Sequence, residues 1–195
     1  MKNLLQQYFG FSEFRTGQAP VIEALLNGQS AAAIFPTGSG KSLCYQLPAL
    51  KLPHLTLVVS PLLALIQDQL DFLHKKGIPA ASIQSMQTAS ESSAVYKAVA
   101  DGQIKILFIS VERLNSERFR QFLKQVPISL LVVDEAHCIS EWGHNFRPDY
   151  LKLASYRQEF KIKQVLLLTA TATTKVIEDM ANKFAQSELA PVAAK

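Results

Sequence analysis

The sequence predicts an α/β fold, a mainly parallel β-sheet with helices on both faces. Three observations lead there. Short apolar runs alternate with longer amphipathic ones, the pattern of repeated strand–helix units. The apolar runs are continuous rather than alternating, as in strands covered on both sides. The chain has 195 residues, 48% of them hydrophobic and 18% charged, which suits one domain able to bury its own core without a disulfide or metal staple.

Strands are expected at 31–35, 55–60, 104–110, 129–134 and 164–169, with a weaker one at 80–84. A helix is expected over 61–76, where Leu62, Ile66, Leu70 and Leu73 recur at helical spacing. Ser60 would cap it and Pro61 would take its first position. A second is expected over 115–125, with Phe119, Phe122 and Leu123 on its apolar side and Asn115 as a cap, and a last one over 173–184. The domain is expected to fill residues 1–186, and 187–195 reads as a small, polar tail that frays. No internal repeat or low-complexity segment interrupts the pattern.

Composition narrows the function classes. The formal charge is +4, spread evenly over the two halves, so there is no basic tail. Two short cationic stretches, around Arg113–Lys124 and Arg147–Lys163, read on charge alone as solvated helix faces. The two cysteines, Cys44 and Cys138, lie far apart, and none of the four histidines (54, 74, 137, 144) has ligand spacing to them; no zinc site is expected. No apolar run approaches the ~18 residues of a membrane span, and the N-terminus turns polar too soon for a secretory signal. The expectation is a protein that is not secreted and has no membrane partner: cytoplasmic or nucleoid-associated in a bacterium, nuclear in a eukaryote.

In a parallel sheet, ligands gather beyond the carboxyl ends of the strands. The first strand is followed by Pro36-Thr37-Gly38-Ser39-Gly40-Lys41-Ser42 and then a helix. Glycines let backbone N–H groups turn onto phosphate oxygens, and a helix N-terminus favours anions. Lys41 can act as a point charge on the outer phosphates, and Ser42 offers a hydroxyl to Mg²⁺. The full phosphate-loop pattern would place glycine at position 35, where this chain has Phe35, so an ordinary Gly/Ser turn is the alternative reading. The fourth of the firm strands ends in Asp134-Glu135-Ala136-His137. Asp134 can help hold Mg²⁺ and Glu135 can orient and deprotonate an attacking water. Alone such a tetrad is weak; beside a phosphate loop it points to nucleotide hydrolysis.

The chain resembles the first motor lobe of RecQ-family DNA helicases, in superfamily 2, from about Phe9 to Ala172. Phe9–Gln18 resembles that family's adenine-reading motif. Pro36–Gln46 resembles motif I, Ser60–Gln69 motif Ia, Glu112-Arg113-Leu114 motif Ib and Asp134–His137 motif II. His137–Pro148 resembles the family's aromatic-rich loop, and Leu168-Thr169-Ala170-Thr171-Ala172 resembles motif III. Four positions depart from the family's usual residues: Phe11 for tyrosine, Val111 for proline, Glu141 for glutamine and Asn145 for aspartate.

The resemblance implies a RecA-like P-loop NTPase lobe that takes ATP and Mg²⁺ and serves 3′-to-5′ DNA unwinding. Gln18 and Arg15 would select adenine, with Phe11 or Arg15 covering the base, alongside the phosphate-binding Thr37, Gly38, Ser39, Gly40, Lys41 and Ser42. The alternative for Phe9, Phe11 and Phe14 is a helix-capping cluster. Lys41, Asp134, Glu135 and His137 would carry catalysis, with Ser42 and Asp134 at the metal. Trp142, Phe146 and Arg147 would touch single-stranded DNA or a single/double-strand junction; the alternative for the two rings is burial as anchors. Thr169 and Thr171 would couple strand to nucleotide, unless Thr171 merely caps a helix. The partner implied is a second RecA-like lobe, and the residues after Ala172 are too few to hold it, so the lobe alone is expected to be inactive in unwinding. A non-catalytic nucleotide-, DNA- or partner-binding module and an RNA-remodelling relative are the alternatives.

Overall fold

The computed structural model describes residues 1–84, 87–143 and 145–184, and the backbone of 189–193. Six strands occur where the apolar runs predict them: β1 (Ser30–Ile34), β2 (Leu55–Val59), β3 (Ala80–Ile83), β4 (Ile106–Ile109), β5 (Ile128–Val133) and β6 (Gln164–Thr169). A further strand, β7 (Leu189–Ala193), pairs with β1. All the pairings are parallel, and the order across the sheet is β3-β4-β2-β5-β6-β1-β7. The expected fraying tail is therefore corrected over 189–193. Backbone pairing along the open edge of β1 orders that segment; residues 187, 188, 194 and 195 lie outside the described residues.

Among the described residues eight α-helices fill the connections: α1 (Lys2–Leu4), α2 (Gln18–Leu26), α3 (Leu43–Lys51), α4 (Leu63–Lys75), α5 (Ala89–Ala100), α6 (Glu117–Lys124), α7 (Leu153–Glu159) and α8 (Thr174–Phe184). They form two layers because successive strand residues point to opposite faces. Leu130 and Val132 of β5, with Leu166 and Leu168 of β6, face a core closed by α2, α3 and α4 through residues such as Ile22, Leu47 and Ile66. Leu131 and Val133, with Val165 and Leu167, face a second core closed by α5 to α8 through Val99, Phe119, Leu153 and Met180. Burial on both faces is why the strands read as unbroken apolar runs.

Two helix starts differ from expectation. α4 begins at Leu63, after Leu62 at φ −107°, ψ 83°, and no side chain caps it. The Ser60 hydroxyl accepts instead from the Leu62 N–H at 3.4 Å, which shapes a turn before the helix. Leu62 is consequently exposed, whereas Ile66, Leu70 and Leu73 are buried. α6 is capped by Ser116, whose hydroxyl accepts from Phe119 N–H, rather than by Asn115. The cationic stretches are largely spent on structure. Arg120 and Lys124 pair with Glu159, and Arg157 donates to the Ile162 and Lys163 carbonyls. Among the described residues no helix is long and apolar enough to cross a membrane. Cys44 and Cys138 are buried free thiols, pushed up by that burial to about 12 and about 11.

The second core centres on Phe119, which is fully buried, touches the rings of Tyr96 and Phe122, and carries the Arg113 guanidinium 5.5 Å from its centroid. Phe119→Ala should cost about 3–5 kcal/mol in urea-unfolding free energy, because α6 cannot collapse into the space left; a loss under about 1 kcal/mol would mean the site refills.

Candidate functional site

Because every pairing is parallel, all the strands release their carboxyl ends at one rim of the sheet. β1 leads into the glycine loop, β5 into Asp134, and β6, lying between them, into Thr169. Pairing sets Ile34 opposite Thr169, and Phe35 N–H donates to the Thr169 carbonyl at 2.9 Å. The loop and the acids are thus neighbours through one intervening strand, although they lie far apart in the chain.

Lys41 joins them. Its ammonium lies 3.0 Å from Asp134 Oδ1 and 2.7 Å from Glu135 Oε1. Burial pulls the Lys41 ammonium down, but the two carboxylates outweigh it and hold the group above its usual 10.5. Burial raises the Asp134 carboxyl, and Lys41 offsets that only in part. Glu135 stands at φ +52°, a left-handed conformation that costs a non-glycine residue energy, and its N–H donates to Asp134 Oδ1 at 2.9 Å. That backbone turn brings two consecutive carboxylates onto one cation, where an extended strand would point them apart.

The glycine loop is tied down from beneath. Arg15 Nη1 donates to the Gly38 carbonyl at 2.8 Å and Gln18 Nε2 donates to the Gly40 carbonyl at 2.9 Å, while Gln18 Oε1 accepts from Arg15 N–H at 2.8 Å. Gly40 has φ +85°, and a Cβ there would meet Gln18 Nε2 at 2.6 Å. The amide of Gln18, expected at an adenine edge, is thus already engaged with the backbone on both its oxygen and its nitrogen. Gln18 and Arg15 still line a cavity of about 390 Å³, walled by Phe9, Phe11 and Phe72 and opening beside Ser42. Phe11 is half exposed there, while Phe14 packs against the first core, so the phenylalanines of this segment divide between cavity and packing. Sequence reading did not assign Gln46 or Gln69. Gln46 Nε2 donates to Gln69 Oε1 at 2.8 Å, and Gln69 Nε2 reaches the Ser42 hydroxyl at 3.4 Å. The only signal for Gln69 was its place in the motif Ia-like stretch.

His137 is buried, and Thr169 beside it more so. The single hydroxyl hydrogen of Thr169 goes to the Thr171 carbonyl at 3.0 Å, so at its 2.8 Å contact with His137 Nδ1 the oxygen accepts and Nδ1–H donates. The same Nδ1 lies 3.4 Å from Glu135 Oε2. One chain of polar contacts therefore runs from the second acid through His137 to the residues after β6. Thr171 contributes its carbonyl to it; the helix is capped instead by Thr173, whose hydroxyl accepts from Val176 N–H.

The loop after His137 separates its aromatic residues. Trp142 is 64% exposed, which excludes it as a buried anchor. Phe146 is half buried and shares a cavity of about 660 Å³ with Thr37, Glu135, His137, Arg147 and Thr171. Arg147 pairs with Glu112 at 3.6 Å. Gly143 presses on motif II: a Cβ there would meet the His137 carbonyl at 2.8 Å. Asn145 takes φ +77°, which asparagine tolerates, and His144 lies outside the described residues. Arg113 turns inward to the Tyr96 hydroxyl at 3.0 Å, and Val111 is buried beside it in the second core.

Raised above its unfolded value, the Lys41 ammonium contributes its full stability below about pH 10.5 and loses it as the pH climbs through the higher folded value. The difference in unfolding free energy between wild type and Lys41→Met should stay flat to about pH 10.5 and shrink above it, read from urea melts across the alkaline range. A difference that grew with pH would contradict the ion pair.

The known proteins to which the chain is similar are helicases. The DEAD/DEAH box helicase family model matches residues 15–180. The chain is 47% identical over 183 residues to the probable ATP-dependent DNA helicase RecS of Bacillus subtilis, covering 93% of this chain and 36% of that protein. It is 43% identical over 178 residues to the ATP-dependent DNA helicase RecQ of Haemophilus influenzae, covering 91% and 29%. It thus spans about a third of the length of these curated relatives. Among solved structures, the DUF1998 helicase MrfA bound to DNA superposes with TM-score 0.77 at 21% identity, over 98% of this chain and 29% of that one. A hypothetical ATP-dependent RNA helicase from Sulfolobus tokodaii superposes with TM-score 0.69 at 22% identity, over 98% and 57%. The fold is that of the RecA-like helicase domains, as the sequence predicts. With most of its length matched by the family model, and with the glycine loop and the acid tetrad meeting at one rim, the chain belongs to the DEAD/DEAH box helicases.

Proposed function

We propose that the chain is the ATP-binding motor lobe of a RecQ-type DNA helicase, working where DNA is handled in the cytoplasm, nucleoid or nucleus. The observation that carries this reading is Lys41 held between Asp134 and Glu135 at the mouth of the glycine loop. It gathers the point charge for outer phosphates, a carboxylate suited to a hard divalent cation and a candidate general base in one place. The donor set fits ATP with Mg²⁺: hard oxygens at Ser42 and Asp134, and a loop whose Gly40 leaves no room for a side chain. Bound there, Mg²⁺ would supply charge neutralisation on the phosphate oxygens. Lys41 would move from the acids to the outer phosphates, and Glu135 would take a proton from the attacking water. His137 would hold Glu135 in register with Thr169 through its Nδ1 proton. Phe11, Arg15 and Gln18 would take the adenine in the adjoining cavity, the Gln18 amide using its remaining hydrogen and lone pair.

The DNA partner is supported by the names of the relatives, RecS and RecQ, and by the exposed ring of Trp142. Trp142, Phe146 and Arg147 would meet the unpaired strand, and Thr169 and Thr171 would relay its presence to Glu135. A second RecA-like lobe would close the nucleotide cleft and supply an arginine, an addition worth about 10³–10⁵ in rate. This lobe alone is accordingly expected to bind nucleotide weakly, hydrolyse it slowly and leave duplex intact.

Titration of the chain with a fluorescent ATP analogue and Mg²⁺ tests the site. Lys41→Ala should weaken binding about 10- to 100-fold, the worth of a charge-assisted hydrogen bond; unchanged affinity overturns the reading. Competition at fixed salt separates the nucleic-acid classes: single-stranded DNA should displace a labelled DNA oligomer better than RNA of the same sequence, and preference for RNA would favour an RNA-remodelling role.

A further inference from the structure

Lys175, Asp179 and Lys183 recur every fourth residue along α8 and so share one face. All three meet the aromatic loop. Lys175 Nζ lies 3.1 Å from the centroid of the Trp142 ring. The Asp179 carboxylate accepts from the Ser140 hydroxyl, whose oxygen accepts in turn from Trp142 N–H at 3.2 Å. Lys183 donates to Asp179 at 3.1 Å and to the Ile139 carbonyl at 3.2 Å. Slight burial raises the Asp179 carboxyl, but the Ser140 hydroxyl, Lys183 and Lys175 outweigh it and hold the group below its usual range. The root of the loop is thus clamped to α8, while the Trp142 ring stays in solvent with an exposed ammonium on one face.

Such an exposed cation–π contact is weaker than the stacking of a nucleic-acid base on an aromatic side chain. A base therefore wins the ring from the ammonium. The ammonium so released sits on a flexible four-carbon stem beside a strand that carries one phosphate per nucleotide. We propose that Lys175 is a strand-binding residue: it rests on Trp142 until a base of single-stranded DNA takes the ring face, and then pairs with a neighbouring phosphate. The inference rests on the reading of Trp142 as a strand contact and extends that contact onto α8, outside the stretches that resemble helicase motifs.

Anisotropy of fluorescein-labelled oligo(dT), titrated with the 195-residue chain at several salt concentrations, tests it. Lys175→Ala and Lys175→Gln should each weaken binding about 5-fold at low salt and make the slope of log K against log salt shallower by about 0.7, one phosphate contact on a single strand. Lys175→Arg should restore both. Trp142 is the sole tryptophan of the chain, so its emission reads the resting contact directly: Lys175→Ala should alter it before any DNA is added, and oligo(dT) should quench it in wild type. Affinity and salt slope unchanged in both neutral variants would overturn the assignment of Lys175, as would tighter binding. If Trp142→Ala binds oligo(dT) as well as wild type does, the strand contact at Trp142 itself fails. Loss of binding in Trp142→Ala beside an unaffected Lys175→Ala leaves that contact standing and removes only the lysine.

Discussion

One ammonium organises the rim of this sheet. Lys41 comes from the loop after β1, and Asp134 and Glu135 come from the end of β5, two strands away. Three buried or half-buried charges so close together are tolerable only because each is matched; an unmatched charge at such a place would neutralise by shifting its pKa. The match is geometric as much as electrical. It needs the left-handed turn at Glu135, the strand β6 that sets the spacing, and a glycine loop too firmly held to drift.

That firmness has a local origin. The segment before α2 lends the loop two side chains, Arg15 and Gln18, and they bond to the carbonyls of Gly38 and Gly40 while bracing each other. With the Gly38 and Gly40 carbonyls already satisfied, what glycines at these positions add is backbone N–H groups able to turn onto an anionic ligand. On the far side of the acids, the histidine–threonine contact ties the end of β6 to motif II. The rim is therefore a row of connected hydrogen bonds, and a shift at one strand end meets resistance from its neighbours.

Much of this was legible in the sequence, for identifiable reasons. Strands buried on both faces announce themselves as apolar runs, and a glycine–lysine–serine loop after one strand with paired acids at the end of another is informative as a pair, though each is weak alone. What escaped was either conformational or remote. The start of α6 slipped because two capping residues, Asn115 and Ser116, stand in a row, and that of α4 because Ser60 shapes a turn ahead of the helix instead of capping it. The apolar residues of α5 are mostly alanines crowded into its second half and show no clear period, although the Thr88–Glu91 capping box was there to be read. The bonds of Gln18 to Gly40, of Gln69 to Ser42 and of Asp179 to Ser140 join segments that only the fold brings together. Strand pairing of the last residues depends on an open sheet edge, a feature of topology rather than of the residues themselves.

Gly143 bears on heredity at this site. With the His137 carbonyl 2.8 Å from where its first side-chain carbon would be, the aromatic loop and the acid tetrad share a wall one hydrogen atom thick. An allele that adds a side chain at position 143 therefore strains the loop and the acid tetrad together, a pleiotropy set by one codon.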